Sequence, residues 1–286
     1  MTDSRMTSTR LSKLHATGND FLVRLALDAE SRALAPAEVA ALCDRHRGVG
    51  ADGLISIGPG SPDDGIDCTM TLRNADGGAA EMSGNGIRCL AWVAARAGLG
   101  TADELRVQTA AGLRVVALTR DTAGTVIAAD VDMGAVTLGE EDVEFVVEGV
   151  EYWGDVANVG NPHVVCFVVD PDAVPLASHG PRIELDARFP QRTNVEFIRV
   201  HPPDAIDMRV WERGVGETLS CGTGACAVAA VAHNRGVVDD HVRVRVPGGG
   251  LDVTLGDTVR LGGPVEHVFD VEIEEIDGYA GRCGES

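Results

Sequence analysis

Short stretches in which apolar and polar residues alternate recur along most of the chain. From Ile66 to Arg73 every second residue is apolar and the residues between them are polar. This period of two is typical of a β-strand with one buried face. Comparable runs predict further strands at residues 21–25, 105–107, 113–118, 126–131, 143–147, 164–169, 195–200, 206–210 and 242–246. Strands therefore dominate the predicted secondary structure.

Helices are predicted at fewer places. One covers residues 36–45, where Pro36 stands at a first-turn position that tolerates proline. Two more follow glycine-rich turns and are expected at residues 84–97 and 222–234, each ending close to a glycine. The last of these has no polar face after its first turn, so protein must surround it on all sides. We expect a sheet to wrap around each of these two helices.

The two glycine-rich turns resemble each other. Ser83-Gly84-Asn85-Gly86 and Cys221-Gly222-Thr223-Gly224 are separated by about half of the chain, and the pairs Gly18-Asn19 and Gly160-Asn161 have nearly the same separation. Chance recurrence of Gly-x-Gly turns would explain one such match, whereas two matches in the same order favour a duplication. The pattern predicts a mixed α/β (α+β) fold of two homologous halves related by a pseudo-twofold axis.

The chain length agrees with two halves, since about 150 residues per domain allow two domains in 286 residues. We place the N-terminal half at residues 10–128, completed by a C-terminal strand at about 265–278. The C-terminal half covers residues 129–264. Residues 1–9 lack an apolar period and are predicted to form a disordered tail, and residues 58–65 a hairpin or loop.

The charge of the chain excludes several classes of partner. Asp and Glu number 44 against 24 Lys and Arg, a formal charge of −20, so the basic surface of a nucleic-acid-binding protein is missing. No uncharged run reaches the roughly 18 residues that a membrane helix needs, and no signal peptide opens the chain. We expect a cytoplasmic protein that binds neither nucleic acid nor membrane.

The cysteines show no pattern of disulfides or metal ligands. The chain has 7 of them, scattered and never spaced as CxxC, so we predict neither a disulfide framework nor a metal site. Cys89 and Cys226 fall inside the apolar helices and are expected to be inert core residues. Lys13 is the only lysine. A Schiff-base mechanism therefore has one candidate, which favours chemistry without a cofactor.

A glycine-rich turn at the start of a helix presents unpaired N–H groups that bind a carboxylate or phosphate. The residue before each turn, Ser83 or Cys221, stands where an anion is favoured, so Cys221 is a candidate thiolate of lowered pKa. If the halves face each other, Ser83 and Cys221 lie on opposite sides of one small molecule. That arrangement suits removal of a proton from one face and delivery to the other.

Other interpretations of the turns are weaker. Neither turn is followed by the Gly-Lys-Ser/Thr of a P-loop, and neither has the GxGxxG spacing of a dinucleotide-binding fold. A cysteine nucleophile of the hydrolase kind needs a histidine partner, for which His163 is the best candidate.

Several ordered segments together resemble one known family. They are Leu14-His15-Ala16-Thr17-Gly18-Asn19-Asp20-Phe21, Arg47-Gly48-Val49-Gly50-Ala51-Asp52-Gly53, Arg73-Asn74-Ala75-Asp76-Gly77, Glu81-Met82-Ser83-Gly84-Asn85-Gly86-Ile87-Arg88-Cys89, Gly160-Asn161-Pro162-His163, Thr193-Asn194-Val195-Glu196-Phe197, Glu212-Arg213-Gly214 and Glu217-Thr218-Leu219-Ser220-Cys221-Gly222-Thr223-Gly224. From Lys13 to about Gly263 the chain is similar to the diaminopimelate epimerases. One segment alone would be weak evidence, but the whole ordered set is specific.

The resemblance implies two similar α/β halves, each a barrel-like sheet around a central helix. It also implies a homodimer. It implies interconversion of LL- and meso-2,6-diaminopimelate without cofactor or metal, for lysine and peptidoglycan precursors. The residues it marks as catalytic are Cys221, Ser83, Glu212 and His163. The residues it marks as substrate-binding are Asn19, Asn74, Gly84, Asn85, Asn161, Asn194, Arg213, Gly222 and Thr223.

One position departs from the family pattern. Ser83 stands where the family normally has its first cysteine, and a hydroxyl is a far poorer base than a thiolate. Three explanations stay open: a working natural Ser/Cys variant, a deliberate replacement of the cysteine, or a different substrate of the proline or hydroxyproline type. The third explanation is weakened because the family residues that bind diaminopimelate are matched here by Asn74, Asn194 and Arg213. A catalytically silent amino-acid-binding protein is a further alternative.

Two of the candidates also have ordinary structural interpretations. His163 taken alone is more often a hydrogen-bonded structural histidine than a catalytic one. Glu212 and Arg213 taken alone are a surface charge pair at a strand end. Their places in the repeat favour the functional interpretation for both.

Overall fold

A computed structural model describes residues 8–28, 31–80 and 82–274. Its many strands and few helices confirm the predicted mixed α/β class. The helices are α1 (Pro36–Cys43), α2 (Gly84–Arg96), α3 (Leu176–Glu184) and α4 (Gly222–Asn234). The strands are β1 (Thr9–Ala16), β2 (Asn19–Leu25), β3 (Gly53–Ser61), β4 (Ile66–Asn74), β5 (Ala79–Ala80), β6 (Glu104–Thr109), β7 (Gly112–Arg120), β8 (Val126–Gly134), β9 (Thr137–Leu138), β10 (Val143–Val147), β11 (Val150–Asn158), β12 (Pro162–Phe167), β13 (Asn194–His201), β14 (Ala205–Glu212), β15 (Gly216–Thr218), β16 (His241–Val246), β17 (Gly249–Thr254), β18 (Val259–Pro264) and β19 (Glu266–Ile273).

The chain divides into two compact units. The first unit takes in the described residues of Met1–Ala16, Asp20–Ala129 and Pro264–Ser286, and the second unit comprises Thr17–Asn19 and Asp130–Gly263. The boundaries predicted for the two halves, and the axis relating them, stay predictions. Residues 1–7 of the predicted tail and residues 275–278 of the predicted last strand lie outside the described residues. Thr9, which was placed in the tail, already belongs to β1.

The two units repeat one order of elements and one pattern of strand pairing. In the first unit β2 pairs parallel with β3, β3 antiparallel with β4, and β4 parallel with β6. In the second unit β12 pairs parallel with β13, β13 antiparallel with β14, and β14 parallel with β16. Each unit also has an outer antiparallel pair, β1 with β19 and β10 with β11. This shared topology agrees with the internal repeat in the sequence.

The two helices that follow glycine-rich turns pack against strands of their own units. In the first unit α2 contacts β1, β3, β4 and β7, and in the second unit α4 contacts β11, β12, β13, β14, β16 and β17. Nearly every residue of α4 before its last turn is buried, in agreement with its apolar sequence. Cys89 in α2 and Cys226 in α4 are both fully buried, as expected, and burial raises the pKa of Cys89 to about 12.

The sequence analysis missed helix α3. Gly180 and Pro181 lie inside it, and both residues disfavour a helix interior. A Cβ built at Gly180 would lie 2.6 Å from Cγ of Trp211 in β14, so the glycine lets the helix pack closely on that strand. Packing on β14 therefore outweighs the low intrinsic propensity.

Residues 58–65, predicted to form a hairpin or loop, belong to the hairpin that joins β3 to β4. Strand β3 continues to Ser61, and the chain turns through the short helix Pro62–Asp64 and Gly65 before β4 begins. The antiparallel pairing of β3 with β4 extends as far as Ser61 opposite Ile66. No helix among the described residues is long and apolar enough to cross a membrane.

Candidate active site

Cys221 lies at the start of α4 as its N-cap residue, with 5% of its surface exposed. Its sulfur accepts a hydrogen bond from the backbone N–H of Gly224 at 3.4 Å and lies 3.5 Å from Oγ1 of Thr223. The turn Gly222-Thr223 contributes the first helical residues, whose N–H groups have no partner within the helix. The second glycine-rich turn is thus a helix start, as the sequence predicts.

Ionisable side chains from neighbouring strands surround this thiol. Glu212 is the last residue of β14, accepts a hydrogen bond from Oγ1 of Thr218 at 2.5 Å, and is hydrogen-bonded to Cys221. Glu196 in β13 and His163 in β12 form a fully buried pair, with 2.7 Å between Oε1 and Nδ1. The parallel register of β12 and β13 sets His163 opposite Asn194, two residues before Glu196 on the same face.

The ionisation of Cys221 differs from the sequence-based expectation of a lowered pKa. Burial raises the pKa of the Cys221 thiol well above its ordinary value, and the nearby carboxyl groups of Glu212 and Glu196 raise it further. The hydrogen bonds from Thr223 and Gly224 oppose this rise without reversing it. A helix N-terminus lowers a thiol pKa most effectively where water or nearby cations also stabilise the thiolate, whereas Cys221 is buried beside two carboxyl groups.

Glu212 is suited to exchange a proton with this thiol. Burial is the largest cause of a pKa for the Glu212 carboxyl above its usual range, while the hydrogen bonds from Thr218 and Cys221 act in the opposite direction. A carboxylate of raised pKa is a stronger base than one in water. The Cys221 thiol and the Glu212 carboxyl therefore form a hydrogen-bonded acid and base pair inside the second unit.

His163 has hydrogen-bond partners on both ring nitrogens. Nδ1 lies 2.7 Å from Oε1 of Glu196, and Nε2 lies 3.0 Å from Oδ1 of Asn161. The amide nitrogen of Asn161 in turn donates to Oγ1 of Thr223 at 3.3 Å. The structure thus joins three of the sequence-predicted residues, His163, Asn161 and Thr223, in one hydrogen-bonded chain next to Cys221.

Asn194 and Arg213 lie beside this group in a different arrangement. The buried side chain of Asn194 donates to the carbonyl of Pro162 at 2.9 Å and accepts from the backbone N–H of Arg213 at 2.9 Å. The exposed Arg213 guanidinium donates to the carbonyl of Gln191 at 3.3 Å. Asn194 therefore holds the turn after Glu212 in place through main-chain contacts.

The segment that carries Asn19 belongs to the second unit. Oγ1 of Thr17 lies 2.6 Å from Oγ of Ser220, the residue before Cys221, and both side chains are buried. A Cβ built at Gly18 would lie 2.9 Å from Leu219, so this segment is packed directly on the chain that leads into α4. Asn19 therefore directly follows two residues that contact the segment leading into Cys221.

The first unit carries the corresponding turn at Ser83. Ser83 is the N-cap residue of α2, and its hydroxyl accepts from the N–H of Gly86 at 3.0 Å. Gly84 and Asn85 follow, both buried, and Oδ1 of Asn85 accepts from Arg88 at 2.7 Å. Asn74 is exposed at the end of β4. The geometry of the two helix starts is the same, but a hydroxyl stands at one and a thiol at the other.

The ionisable groups around Cys221 have no counterparts at the equivalent positions of the first unit. Phe21 faces Gly53 in the parallel pair of β2 and β3, as His163 faces Asn194 in the second unit. By the same register Ile55 stands where the second unit has Glu196. A Cβ built at Gly86 would meet Cδ1 of Ile55 at 3.1 Å, whereas one at Gly224 would meet Oε1 of Glu196 at 2.8 Å. The acid and base groups are concentrated at one turn.

Comparison with known proteins supports one family. The family model for diaminopimelate epimerase matches residues 11–139 and 156–267. The chain belongs to the diaminopimelate epimerase family. It is therefore an isomerase. A diaminopimelate epimerase of Paraburkholderia xenovorans is 39% identical over 94% of this chain and 99% of the relative, and one of Pelotomaculum thermopropionicum is 41% identical over 91% and 97%.

Solved structures show the same fold at low sequence identity. A hydroxyproline epimerase from Agrobacterium vitis is 18% identical, has a TM-score of 0.73, and is matched over 98% of this chain and 96% of its own. A phenazine biosynthesis protein of the PhzF family from Bacillus anthracis is 15% identical, with a TM-score of 0.73 over 94% and 99%. The diaminopimelate epimerase family thus shares its fold with proteins of other named activities.

Sequence reasoning singled out neither Glu196 nor Glu184. Glu196 interrupts the apolar run of β13, and a lone carboxylate in a strand buried on both faces is the signal that could have identified it. Glu184 ends the missed helix α3 and accepts from Trp211 Nε1 at 2.7 Å and from the N–H of Gly214 at 2.9 Å. Glu184 therefore holds the turn that follows Glu212 in place.

No group of His, Cys, Asp or Glu within the described ranges is arranged to hold a metal ion.

The contact between Gly224 and Glu196 leads to a stability prediction. Replacing Gly224 by alanine should lower the free energy of unfolding by about 1–3 kcal/mol, because the new methyl group overlaps a buried carboxyl oxygen. The matched control is Gly86→Ala, whose methyl group would lie 3.1 Å from Cδ1 of Ile55 and 3.2 Å from Cβ of Ser83 and should cost less, because these contacts are longer. Thermal or urea unfolding of both variants measures the difference, and equal losses would contradict this account.

Proposed function

We propose that this isomerase interconverts LL- and meso-2,6-diaminopimelate by moving the proton on the α-carbon. In this proposal Cys221 acts on one face of the carbon and Ser83 on the opposite face. The observation that carries it is the Cys221 thiol at the start of a buried helix, hydrogen-bonded to the Glu212 carboxyl of raised pKa. The names of the family and of the curated relatives support diaminopimelate as the substrate.

The first step we propose is the transfer of the Cys221 proton to Glu212. The thiolate then takes the α-proton of the substrate, and the negative charge left on the α-carbon spreads into the adjacent carboxylate. Backbone N–H groups at Gly84, Asn85, Gly222 and Thr223 are the donors proposed to hold that carboxylate, as expected for two helix N-termini. Delivery of a proton to the other face completes the inversion.

The remaining candidate residues are proposed to bind the parts of the substrate away from the reacting carbon. We propose that Asn19, Asn74 and Asn161 contact the amino groups and the distal carboxylate, the roles that the family resemblance implies. The exposed guanidinium of Arg213 suits a carboxylate in bidentate contact. Asn194 supports Arg213 through its backbone N–H. His163 supports the acid and base pair through its contacts with Asn161 and Glu196.

The proposed oligomeric state, location and metabolic role are those that the family resemblance implies. We propose a homodimer in the cytoplasm that works without pyridoxal phosphate or metal and supplies meso-diaminopimelate for lysine and peptidoglycan precursors. The formal charge of −20 agrees with a small-molecule substrate in preference to a nucleic acid.

The test is incorporation of solvent deuterium at the α-carbon in heavy water. LL- and meso-diaminopimelate should both be labelled and interconverted, whereas proline and hydroxyproline should not. Labelling of proline-type substrates alone would transfer the assignment to another amino acid. Binding of diaminopimelate without any label uptake would indicate a silent binding protein.

Because a hydroxyl is a poorer base than a thiolate, the two stereoisomers should also be labelled at unequal initial rates. The isomer that presents its α-proton to Cys221 should exchange much faster than the one that presents it to Ser83. Initial rates measured separately for each isomer check this, and equal rates would refute the asymmetry.

A further inference from the structure

The chain between β14 and β15 forms a β-turn that carries Arg213. The N–H of Val215 donates to the carbonyl of Glu212 at 3.0 Å, and Gly214 has a φ of 74°, in the left-handed region. Such a turn uses its first carbonyl and its last N–H, and the N–H groups of its two central residues have no partner inside it. Here these are the N–H groups of Arg213 and Gly214.

Two side chains from outside the turn accept these N–H groups. Oδ1 of Asn194, the first residue of β13, accepts from Arg213 at 2.9 Å. Oε1 of Glu184, the last residue of α3, accepts from Gly214 at 2.9 Å. Arg213 and Gly214 are exposed, whereas Asn194 and Glu184 are buried, so the two contacts join an exposed turn to the buried part of its unit.

Glu184 stands where a carboxyl group is costly. It has 5% of its surface exposed and is the last residue of a helix, the end at which the helix dipole disfavours a negative charge. The guanidinium of Arg192 lies 3.6 Å from Oε1, but 56% of that side chain is exposed, so this ion pair contributes little. A carboxyl at this position therefore calls for a reason other than packing.

The hydrogen bonds of Glu184 supply that reason. Oε2 accepts from Nε1 of Trp211 at 2.7 Å, while Oε1 accepts from the N–H of Gly214. An indole N–H and a backbone N–H can only donate, so both oxygens must act as acceptors. A glutamine has one acceptor oxygen and could serve only one of the two donors. The two donors together therefore require a carboxyl at residue 184.

We infer that Glu184 is a positioning residue that, through the N–H of Gly214, holds Arg213 in place for a substrate carboxylate. The inference rests on the proposed function in giving Arg213 a carboxylate to bind. The exposed guanidinium contacts the carbonyl of Gln191 at 3.3 Å, and the backbone of the turn sets where this long side chain begins. A mobile turn would have to be ordered when the substrate binds, which weakens binding.

Glu212 does not depend on Glu184 in the same way. It stands opposite Gly216 in the antiparallel pair of β14 and β15, and its carboxyl accepts from Thr218. The acid and base pair should therefore keep its geometry when the contact to Gly214 is lost. We expect that loss to raise KM for diaminopimelate more than it lowers kcat.

The test compares two replacements of Glu184 in chains that also carry Trp211→Phe. Without the indole N–H, the amide oxygen introduced by Glu184→Gln has only the Gly214 donor to serve. Glu184→Met gives a side chain of similar length without an acceptor oxygen. Both replacements remove the charge next to Arg192, so the two chains differ in the acceptor for Gly214.

The first measurement is hydrogen–deuterium exchange of the Gly214 amide, which needs no substrate. We expect exchange about three- to tenfold faster in the Glu184→Met chain than in the Glu184→Gln chain, the effect of one neutral hydrogen bond. The second measurement is KM and kcat for labelling of diaminopimelate at the α-carbon. KM should be higher in the Glu184→Met chain by a similar factor, while kcat should differ by less than about twofold.

Arg213→Met shows whether the effect on KM acts through the guanidinium. When Arg213→Met is added to both chains, their KM values should become equal, because no guanidinium is left for the turn to hold. A general loss of folding stability would leave the difference in KM unchanged.

Equal rates of Gly214 exchange in the Glu184→Met and Glu184→Gln chains would overturn the inference. Faster exchange without a change in KM would also overturn it, as would a difference in KM that persists with Arg213→Met. If Glu184→Met does not fold, Glu184→Asp in the same background withdraws the acceptor by one methylene and should cause the same changes. Gly214 exchange as slow as in the Glu184→Gln chain would then refute the inference.

Failure of the proposed function gives a different result. If the parent chain does not label diaminopimelate, the proposed function fails. The rates of Gly214 exchange then decide by themselves whether Glu184 holds the turn that carries Arg213.

Discussion

Replacing Cys221 by alanine is expected to abolish interconversion of the two stereoisomers of diaminopimelate, together with deuterium incorporation into the isomer that presents its α-proton to Cys221. The proposed chemistry has only one thiol in contact with an acid and base partner, the carboxyl of Glu212. General acid and base groups contribute about a hundred- to ten-thousand-fold to proton transfer, so the loss should reach at least about a thousand-fold. The measurement is the initial exchange rate in heavy water for each isomer.

The matched control is Cys226→Ala in the same helix. Cys226 is fully buried inside α4 and has no place in the proposed reaction. Its replacement should lower the free energy of unfolding and leave the exchange rate near that of the parent chain. Exchange that persists in Cys221→Ala at the parent rate would remove Cys221 from the mechanism.

Replacing Ser83 by cysteine is expected to raise epimerase turnover by about a hundred-fold or more. The Ser83 hydroxyl accepts from Gly86, and the positions equivalent to His163 and Glu196 in the first unit hold the apolar residues Phe21 and Ile55. A hydroxyl needs an adjacent base to act, whereas a thiol at a helix start ionises far more readily. The initial exchange rates of the two isomers should also become more nearly equal.

Ser83→Ala is the control for this second prediction. It removes the N-cap acceptor of α2 and should cost about 1 kcal/mol of stability. It should also abolish the slower of the two exchange reactions and spare the faster one. Turnover unchanged by Ser83→Cys would show that the serine does not limit the reaction, which favours a working natural Ser/Cys pair over a replaced cysteine.

The starts of α2 and α4 were predictable because their signals are local. Glycine-rich turns after Ser83 and Cys221 provide N-cap acceptors and free N–H groups within a few residues of sequence, and the helices begin at Gly84 and Gly222. Helix α3 was not predictable in this way. Its Gly180 and Pro181 oppose a helix locally, and only packing on Trp211 favours one.

The candidate site shows the same contrast between local sequence signals and tertiary contacts. The family motifs identified His163, Glu212 and Cys221, because residue identity and order are written in the sequence. They did not show that Glu196 lies against the first turn of α4, since that contact depends on the register of β12 with β13. The hydrogen-bond chain to Cys221 likewise needs three-dimensional distances.

By itself, the sequence determined the strand-rich α/β class, the internal repeat, the two helix starts and the identities of the groups placed there. Only the tertiary structure decided the state of the thiol. A helix N-terminus favours an anion at Cys221, but burial and the carboxyl groups of Glu212 and Glu196 raise its pKa instead. Capping and periodicity act within a few residues, whereas desolvation and charge interactions depend on strands distant in sequence that fold around the site.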